Sequence, residues 1–363
     1  MAENRGKMMT LNFLNSKSVN ADVSRALKEA SHESALAEDV AIAAQALDAG
    51  TFKLSNHEIN FINHNPESIA KYLVFRYKFR FYPVQRKLND YPLHVLVEPT
   101  SICNLRCVMC FQSDESFRGK PYAGNMSFEL FKKIVDESQS NGLNALTLSG
   151  RGEPLLNKRI ADMLRYAGGK FFDFKLNTNA TVMNESMCRA ILDSGLTELV
   201  FSVDSTDKET YAKIRVGGDL DDVIRNIERF NSIRAAEYKS SRINTRVSAV
   251  LVNEGQDLEA FHAFWKNYAD DVSCTKAIDR NDTYNNTPTN LDHPCERLWH
   301  RLYIWWDGTA SPCDYDYKSH LDMGNAATSS IKDVWLGKKM EDARNLHSQG
   351  KRCGMDPCVR CSL

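Results

Sequence analysis

From residue 93 to residue 278 short apolar segments alternate with amphipathic ones, and few folds accommodate that order. LHVLVEP (93–99), NALTLSG (144–150), FDFKLNTN (172–179), ELVFSVD (198–204), INTRVSAVLVN (243–253) and DVSCTKAI (271–278) read as strands. MSFELFKKIVDESQSNG (126–142), KRIADMLRYAGG (158–169), ESMCRAILDSG (185–195), a stretch through about 236 and LEAFHAFWKNYA (258–269) read as helices. Six β/α units in series predict a parallel sheet with helical crossovers. Strands this apolar are expected to be covered on at least one face, and on both by preference. A six-stranded open barrel places its site at the C-terminal ends of the strands. The predicted class is α/β, a partial TIM-like (β/α)6 barrel over 91–285, with an N-terminal helical extension (1–90) and a small Cys-rich domain (286–363).

Residues 1–90 carry no cysteine. VSRALKEASHESALAEDVAIAAQALDAG has Ala, Leu and Glu at helical spacing and ends at Gly50. IAKYLVFRYKFRFYPVQRKL is aromatic and basic. It reads as a helix packing on the main body with Arg and Lys snorkelling; a carrier dock or a membrane-surface contact is the alternative. Hydrophobic residues make up 42% of the chain, charged ones 26%, and the net charge is −1, so nothing points to a nucleic-acid partner. No apolar run approaches the ~20 residues of a membrane span. MAENRGKMMTLNFLNSKS lacks the apolar core of a signal peptide, so a cytoplasmic location is expected.

Ten cysteines is many for such a chain, and they cluster. Disulfides are disfavoured in a reducing compartment, where closely spaced cysteines more often bind metal; disulfide pairing is the alternative for a secreted chain. Directly after the first strand comes TSICNLRCVMCFQ, with Cys103, Cys107 and Cys110. Three thiolates on one tight loop can hold three irons of a [4Fe–4S] cube and leave the fourth iron open. Zinc is the alternative, though a structural zinc site wants four ligands in one closed set. In the tail, Cys295, Cys313, Cys358 and Cys361 form a second candidate set, enough to close a cluster fully. A four-cysteine zinc site is its rival, and Cys353 is a spare thiol.

These residues resemble the radical S-adenosylmethionine (SAM) superfamily, over about 93–361. In that family the open iron binds the methionyl group of SAM. An electron from the cluster then breaks a C–S bond, and the 5′-deoxyadenosyl radical takes a hydrogen atom from substrate. The resemblance implies that Gly150, Gly152 and Glu153 of LSGRGEP hold the methionyl amine. It also implies SAM contacts at Asn177 and Asn179 of NTNAT, and ribose contacts at Ser202 and Asp204 of FSVDS. Each is equally a turn-former at a strand end when taken alone. Met109 departs from the aromatic residue common between the last two cysteines, yet its sulfur can pack on adenine. The tail resembles the SPASM/twitch auxiliary-cluster domain, in the short form of an aminocyclitol dehydrogenase. Two [4Fe–4S] clusters and SAM are the implied cofactors.

That resemblance implies oxidation or epimerisation of a sugar or aminocyclitol, nucleotide- or carrier-linked, with electrons from a flavodoxin- or ferredoxin-type donor. An epimerase needs a hydrogen donor on the opposite face, and Cys274 is the candidate thiol, with an inert core cysteine as the alternative. Arg246 on the fifth strand is a candidate contact to substrate hydroxyl or phosphate, or a surface strand charge. A peptide-modifying maturase is the alternative function; a zinc-stabilised scaffold leaves the three-thiolate loop followed by Gly152 and Glu153 unexplained.

Overall fold

The computed structural model describes residues 23, 37–65, 68–252, 256–277, 283–289 and 291–362. The expectation of helix over residues 1–36, Val23 apart, lies outside the described residues, as do the last residues of INTRVSAVLVN and DVSCTKAI. The chain divides into two compact units, Met1–Tyr77 and Lys78–Leu363.

In the first unit α1 (Ala37–Asp48) buries Val40, Ala43, Ala44 and Leu47, one stripe at helical spacing. The chain turns at Gly50, whose φ is +69°. Helix α2 (Asn56–His64) opens with a capping box between Ser55 and Glu58. Buried Glu58 also pairs with Arg76 at 2.6 Å, and Phe61 stacks on Tyr72 with centroids 4.0 Å apart. Helix α3 runs Ile69–Gln85. Its last turns belong to the second unit, where Phe79 lies against His300 and under the Arg301 guanidinium.

The second unit contains β1 (His94–Val97), β2 (Arg106–Cys107), α4 (Phe128–Ser140), β3 (Ala145–Leu148), α5 (Ile160–Ala167), β4 (Asp173–Thr178), α6 (Glu185–Leu192) and β5 (Glu198–Ser202). It continues with α7 (Lys208–Ile214), β6 (Arg215–Val216), α8 (Leu220–Glu237), β7 (Asn244–Leu251), α9 (Leu258–Trp265) and β8 (Asp271–Lys276). The tail adds α10 (Arg297–His300), β9 (Arg301–Ile304), β10 (Thr309–Ser311), β11 (Gly324–Asn325), α11 (Ile331–Leu336) and α12 (Lys338–Ser348). The sheet order is β11-β10-β9-β1-β3-β4-β5-β7-β8. The strands from β1 to β8 in that order pair in parallel, as the six β/α units predict, in an α/β partial barrel.

Two features differ from the expectation. RLYI of the tail is a strand, β9, which pairs in parallel with β1 from His94↔Arg301 to Val97↔Ile304. The Cys-rich tail therefore joins the barrel sheet itself. The strands are also uniformly apolar on one side, while the other mixes apolar with charged and polar residues. Phe201 packs on Phe230 of α8, and Leu199 lies in the same core, whereas Glu198, Val200 and Ser202 alternate onto the other side. On that inner side Glu198 bridges Lys175 of β4 (2.6 Å) and Arg246 of β7 (3.1 Å). Glu198 is fully buried there, and the two flanking cations compensate its charge.

Candidate active site at the strand C-terminal ends

The loop after β1 is fixed by hydrogen bonds around its thiols. Ser101 Oγ donates to the Tyr122 carbonyl (2.7 Å) and accepts from Gly124 N–H (2.9 Å). Gln112 Nε2 donates to the carbonyls of Ser101 (2.7 Å) and Arg151 (2.6 Å). Downstream, β2 pairs with β6, setting Cys107 opposite Arg215 and Arg106 opposite Val216. Cys103, Cys107 and Cys110 all line one cavity of about 530 Å³ at the strand ends. That size lies within the range of small-molecule sites.

The glycine-rich segment after β3 packs directly on this loop. A Cβ on Gly152 would stand 2.4 Å from the Thr100 carbonyl oxygen and 2.5 Å from that of Ile102. Only glycine permits that approach. Glu153 N–H donates to the Ile102 carbonyl at 2.9 Å. A Cβ on Gly150 would meet the Glu98 side chain at 2.7 Å, and Glu98 cannot give way. Arg151 grips both its oxygens, Nη2 on Oε1 (2.7 Å) and Nε on Oε2 (2.8 Å). Arg151 also donates to the Tyr317 carbonyl and lies over the Trp305 ring. The pair thus ties β1, the glycine segment and the tail together.

The other expected SAM contacts divide into two groups. Asn177, Ser202 and Met109 line the cavity. Asn177 Oδ1 is buried with no hydrogen-bond partner, an acceptor waiting for a ligand donor. Glu153 and Asn179 line it too, but their side chains already brace the fold. Glu153 accepts from Asn179 N–H (2.7 Å), Thr178 Oγ1 (2.8 Å) and Leu155 N–H (3.0 Å), while its full burial raises its pKa. Asn179 Nδ2 donates to Asn104 Oδ1 on the thiol loop. Asp204 is put to a different use from ribose contact. It is buried, ion-paired with Arg215, and accepts from Val250 N–H (2.7 Å), so it clamps β5 to β7 and β6.

Both expected catalytic residues fall away from the cavity wall. Cys274 lies on the helix-facing side of β8, its sulfur 4.0 Å from His262 Nε2 of α9, and packs on the core. The inert reading fits that placement better than hydrogen donation into the cavity. Arg246 is the third residue of β7, near the strand start and opposite the site, and pairs with Glu198. Its guanidinium is thereby engaged in an ion pair on the inner side of the sheet.

The tail thiols gather on their own. Cys361 raises the pKa of Cys295, Cys295 and Cys358 raise that of Cys313, and Cys295 and Cys361 raise that of Cys358. Burial is the larger cause for each, and Cys358 is pushed up to about 12. Arg352 Nε and Nη2 donate to the carbonyls of Cys358 (3.1 Å) and Cys361 (3.0 Å). The Cys295 N–H donates to His347 Nδ1. Cys353 is exposed. Burial likewise pushes the Cys103 thiol up to about 11 and raises that of Cys107. Buried thiols of raised pKa are held protonated until metal displaces the protons.

Among the described residues no group of three or more His, Cys, Asp or Glu side chains gathers closely enough for a single metal ion. A four-iron cube asks something else, one thiolate for each iron. Three thiols on the cavity wall, the orphaned Asn177 carbonyl and the close approach at Gly152 fit a cluster carrying a chelating cosubstrate. Sequence reasoning missed Asp314, which lines the same cavity although its neighbour Cys313 belongs to the second set. Asp314 pairs with Arg297, and Tyr303 Oη donates to it at 3.4 Å. The signal was present in SPCDYD, where a carboxylate directly follows a cysteine.

The profile of the Radical SAM superfamily matches residues 97–238, and that of SPASM, an iron-sulfur cluster-binding domain, matches 295–362. A tungsten-containing aldehyde ferredoxin oxidoreductase cofactor-modifying protein of Pyrococcus furiosus is 32% identical, covering 74% of this chain and 87% of that protein. A GTP 3′,8-cyclase of Clostridium botulinum is 34% identical over 44% of this chain, which spans 48% of the cyclase. Among solved structures, BtrN in complex with AdoMet and 2-DOIA superposes with a TM-score of 0.52 at 17% identity, over 74% of this chain and 92% of BtrN. SuiB of Streptococcus suis bound to precursor peptide SuiA gives 0.58 at 16% identity, over 81% of this chain and 74% of SuiB. No described helix is long and apolar enough to cross a membrane.

Proposed function

The chain belongs to the radical SAM superfamily and carries a SPASM iron–sulfur domain, and from that premise we propose that it oxidises an alcohol carbon of a sugar or aminocyclitol. In this reading Cys103, Cys107 and Cys110 hold the first cluster. SAM lies against Gly150, Gly152, Asn177, Ser202 and Met109. Cys295, Cys313, Cys358 and Cys361 hold the second cluster. Residues 1–90 form the extension, 91–285 the SAM half and 286–363 the auxiliary half. The enzyme works in a reducing, cytoplasmic setting with a flavodoxin- or ferredoxin-type donor. When bound, these groups supply a hydrogen-abstracting adenosyl radical and an electron acceptor.

The single observation that carries the reading is Asp314, a carboxylate on the wall of the three-thiol cavity and next in sequence to Cys313. Alcohol oxidation needs a base for the hydroxyl proton close to where the electron leaves. Arg297 and Tyr303 orient that carboxylate, and Lys276 at the end of β8 adds a cation to the same wall. Oxidation is favoured over epimerisation because Cys274 faces α9.

The test is anaerobic reconstitution with SAM and dithionite, followed by a product screen on sugars, cyclitols and peptides. Asp314→Asn should go on releasing 5′-deoxyadenosine while oxidised product falls by about 10²–10⁴-fold, the usual contribution of a general base. Turnover of Asp314→Asn at the wild-type rate, or a crosslinked peptide as the product, would refute the reading.

A further inference from the structure

Each of the four tail thiols has a backbone atom held by a side chain. Cys295 N–H donates to His347 Nδ1 at 3.1 Å, and Ser311 Oγ donates to the Cys313 carbonyl at 2.9 Å. Thr289 Oγ1 donates to the Cys361 carbonyl at 3.1 Å. Arg352 holds two of them at once. Its Nε donates to the Cys358 carbonyl at 3.1 Å and its Nη2 to the Cys361 carbonyl at 3.0 Å. These two nitrogens lie on one edge of a planar group, so a single rigid fork spans the turn that presents both thiols. Arg352 also follows α12, whose His347 faces Cys295, so one helix end ties the first tail thiol to the last two.

The Arg352 side chain is only 1% exposed. A guanidinium keeps its charge even there, and a buried charge is costly without anionic charge close by. The carboxylates around the tail thiols have other engagements. Asp314 pairs with Arg297 and Asp356 with Arg360, while Asp316 accepts from Tyr284 Oη and from the N–H groups of His320 and Leu321. Asp292 and Glu296 flank Cys295 but are exposed, where solvent and salt screen them. Four thiolates closing a cube supply anionic charge, and the cube's potential follows net charge, burial and hydrogen bonding around its sulfurs.

We propose that Arg352 is the positioning residue of the second cluster: its fork sets the spacing of the Cys358 and Cys361 thiolates, and its charge makes the cluster easier to reduce. The proposal rests on the reading given above, in which the four tail thiols hold that cluster. In the oxidation proposed there, one electron passes from the substrate radical to the cluster. Arg352 keeps all its protons in that step, and no covalent bond to it forms or breaks. A fixed cation beside the sulfurs favours the state that carries the extra electron, which suits an electron acceptor. Groups that hold a metal's ligands from behind tune affinity and potential in this way.

The test uses the reconstituted holoenzyme and needs no substrate. The second cluster is followed in a redox titration as the electron paramagnetic resonance signal that SAM leaves unshifted. Arg352→Gln removes the charge, so its second cluster should hold the electron about tenfold or more less tightly, a midpoint lower by about 59 mV for each tenfold. Arg352→Lys keeps the charge and loses the fork. Its electron affinity should stay within about threefold of wild type, while a chelator should strip its tail irons about tenfold faster. An unshifted midpoint in Arg352→Gln overturns the proposal, and so does iron release from Arg352→Lys at the wild-type rate. Should Arg352→Gln take up too little iron to titrate, Arg352→Lys must still load its tail site; failure of both alike leaves Arg352 a packing role and overturns the proposal. Wild type that takes up only about four irons, or in which SAM shifts every signal, overturns the two-cluster reading instead.

Discussion

Gly152→Ala tests the closest contact in the site. Its new Cβ would lie 2.4 Å from the Thr100 oxygen, 2.5 Å from the Ile102 oxygen and 2.6 Å from the Ser101 carbonyl carbon. Nonbonded atoms of this size sit best at about 3.5 Å, so the loop must retreat by roughly 1 Å. All three obstacles are backbone, and the loop is pinned by Gln112, Tyr122 and Gly124. Overpacking costs about 1–3 kcal/mol, and two displaced hydrogen bonds add about 1 kcal/mol each. The sum, about 3–5 kcal/mol, is local to the segment that aims Cys103. A shift of ~1 Å at a reacting centre is worth about 10²-fold in rate. Anaerobic reconstitution should therefore give about four irons per chain where wild type takes about eight from two cubes. SAM cleavage should fall by at least about 10²-fold. Gly119→Ala is the control, since nothing lies within 4 Å of its Cβ. A full iron complement and wild-type deoxyadenosine release from Gly152→Ala would refute the argument.

Three further outcomes are expected. Glu98→Gln leaves the Arg151 guanidinium uncompensated in a buried site, and loss of one partner of such a pair costs about 3–5 kcal/mol in denaturant unfolding; a change below about 1 kcal/mol would show that the pair is dispensable. Cys107→Ala should abolish 5′-deoxyadenosine formation, Cys313→Ala should keep some uncoupled cleavage but no substrate turnover, and Cys353→Ser should retain both iron complements, all read by iron analysis and chromatography. Burial alone would raise the Asp270 pKa, but Thr245 N–H, Thr245 Oγ1 and Arg234 outweigh it and hold the carboxyl below its ordinary value. The native state then binds fewer protons than the unfolded chain. This stabilisation is present above about pH 3.9 and is lost as pH falls through the lower folded value. Asp270→Asn should be about 1–3 kcal/mol less stable at neutral pH and lack that acid-side loss; parallel pH–stability curves for the two would contradict the assignment.

What the sequence made legible was periodicity and local motif. Six strands were found because short apolar runs alternate with amphipathic segments, and the thiol loop was found because its cysteines are closely spaced. Strand β9 was hidden because RLYI lies among the tail cysteines and gains its partner, β1, only across about two hundred residues of chain. For Cys274 and Arg246 the sequence left a structural alternative beside the catalytic one, and the contacts fit that alternative. Val272 and Cys274 both pack on the core, and Cys274 is not among the residues that line the cavity, whereas Thr275 and Lys276 are. Arg246 stands three residues into β7, at the end opposite the site. Glu153, Asn179 and Asp204 were assigned to ligand because a motif shows which groups sit at a strand end. It does not show which of them the fold already engages.

The charges around the cavity show what the fold itself requires. Three arginines meet three carboxylates there: Arg151 with Glu98, Arg215 with Asp204 and Arg297 with Asp314. In a desolvated setting attraction is largely offset by lost hydration, so such pairs add little net stability. Their value is geometric, because separating either partner leaves an uncompensated charge. Each pair fixes a different piece of the thiol architecture. Arg151 carries its backbone carbonyl to Gln112 beside Cys110, Arg215 backs the strand of Cys107, and Arg297 stands two residues after Cys295 holding the neighbour of Cys313. Of the three carboxylates Asp314 is the one on the cavity wall, and Lys276 is a cation there with no carboxylate partner among the described residues. In the proposed reading, a substrate entering this space meets the Asp314 carboxylate and the Lys276 ammonium. An alcohol that also bears an anionic group answers both, and such a substrate should lose affinity, with little change in deoxyadenosine release, when Lys276 is replaced by Met.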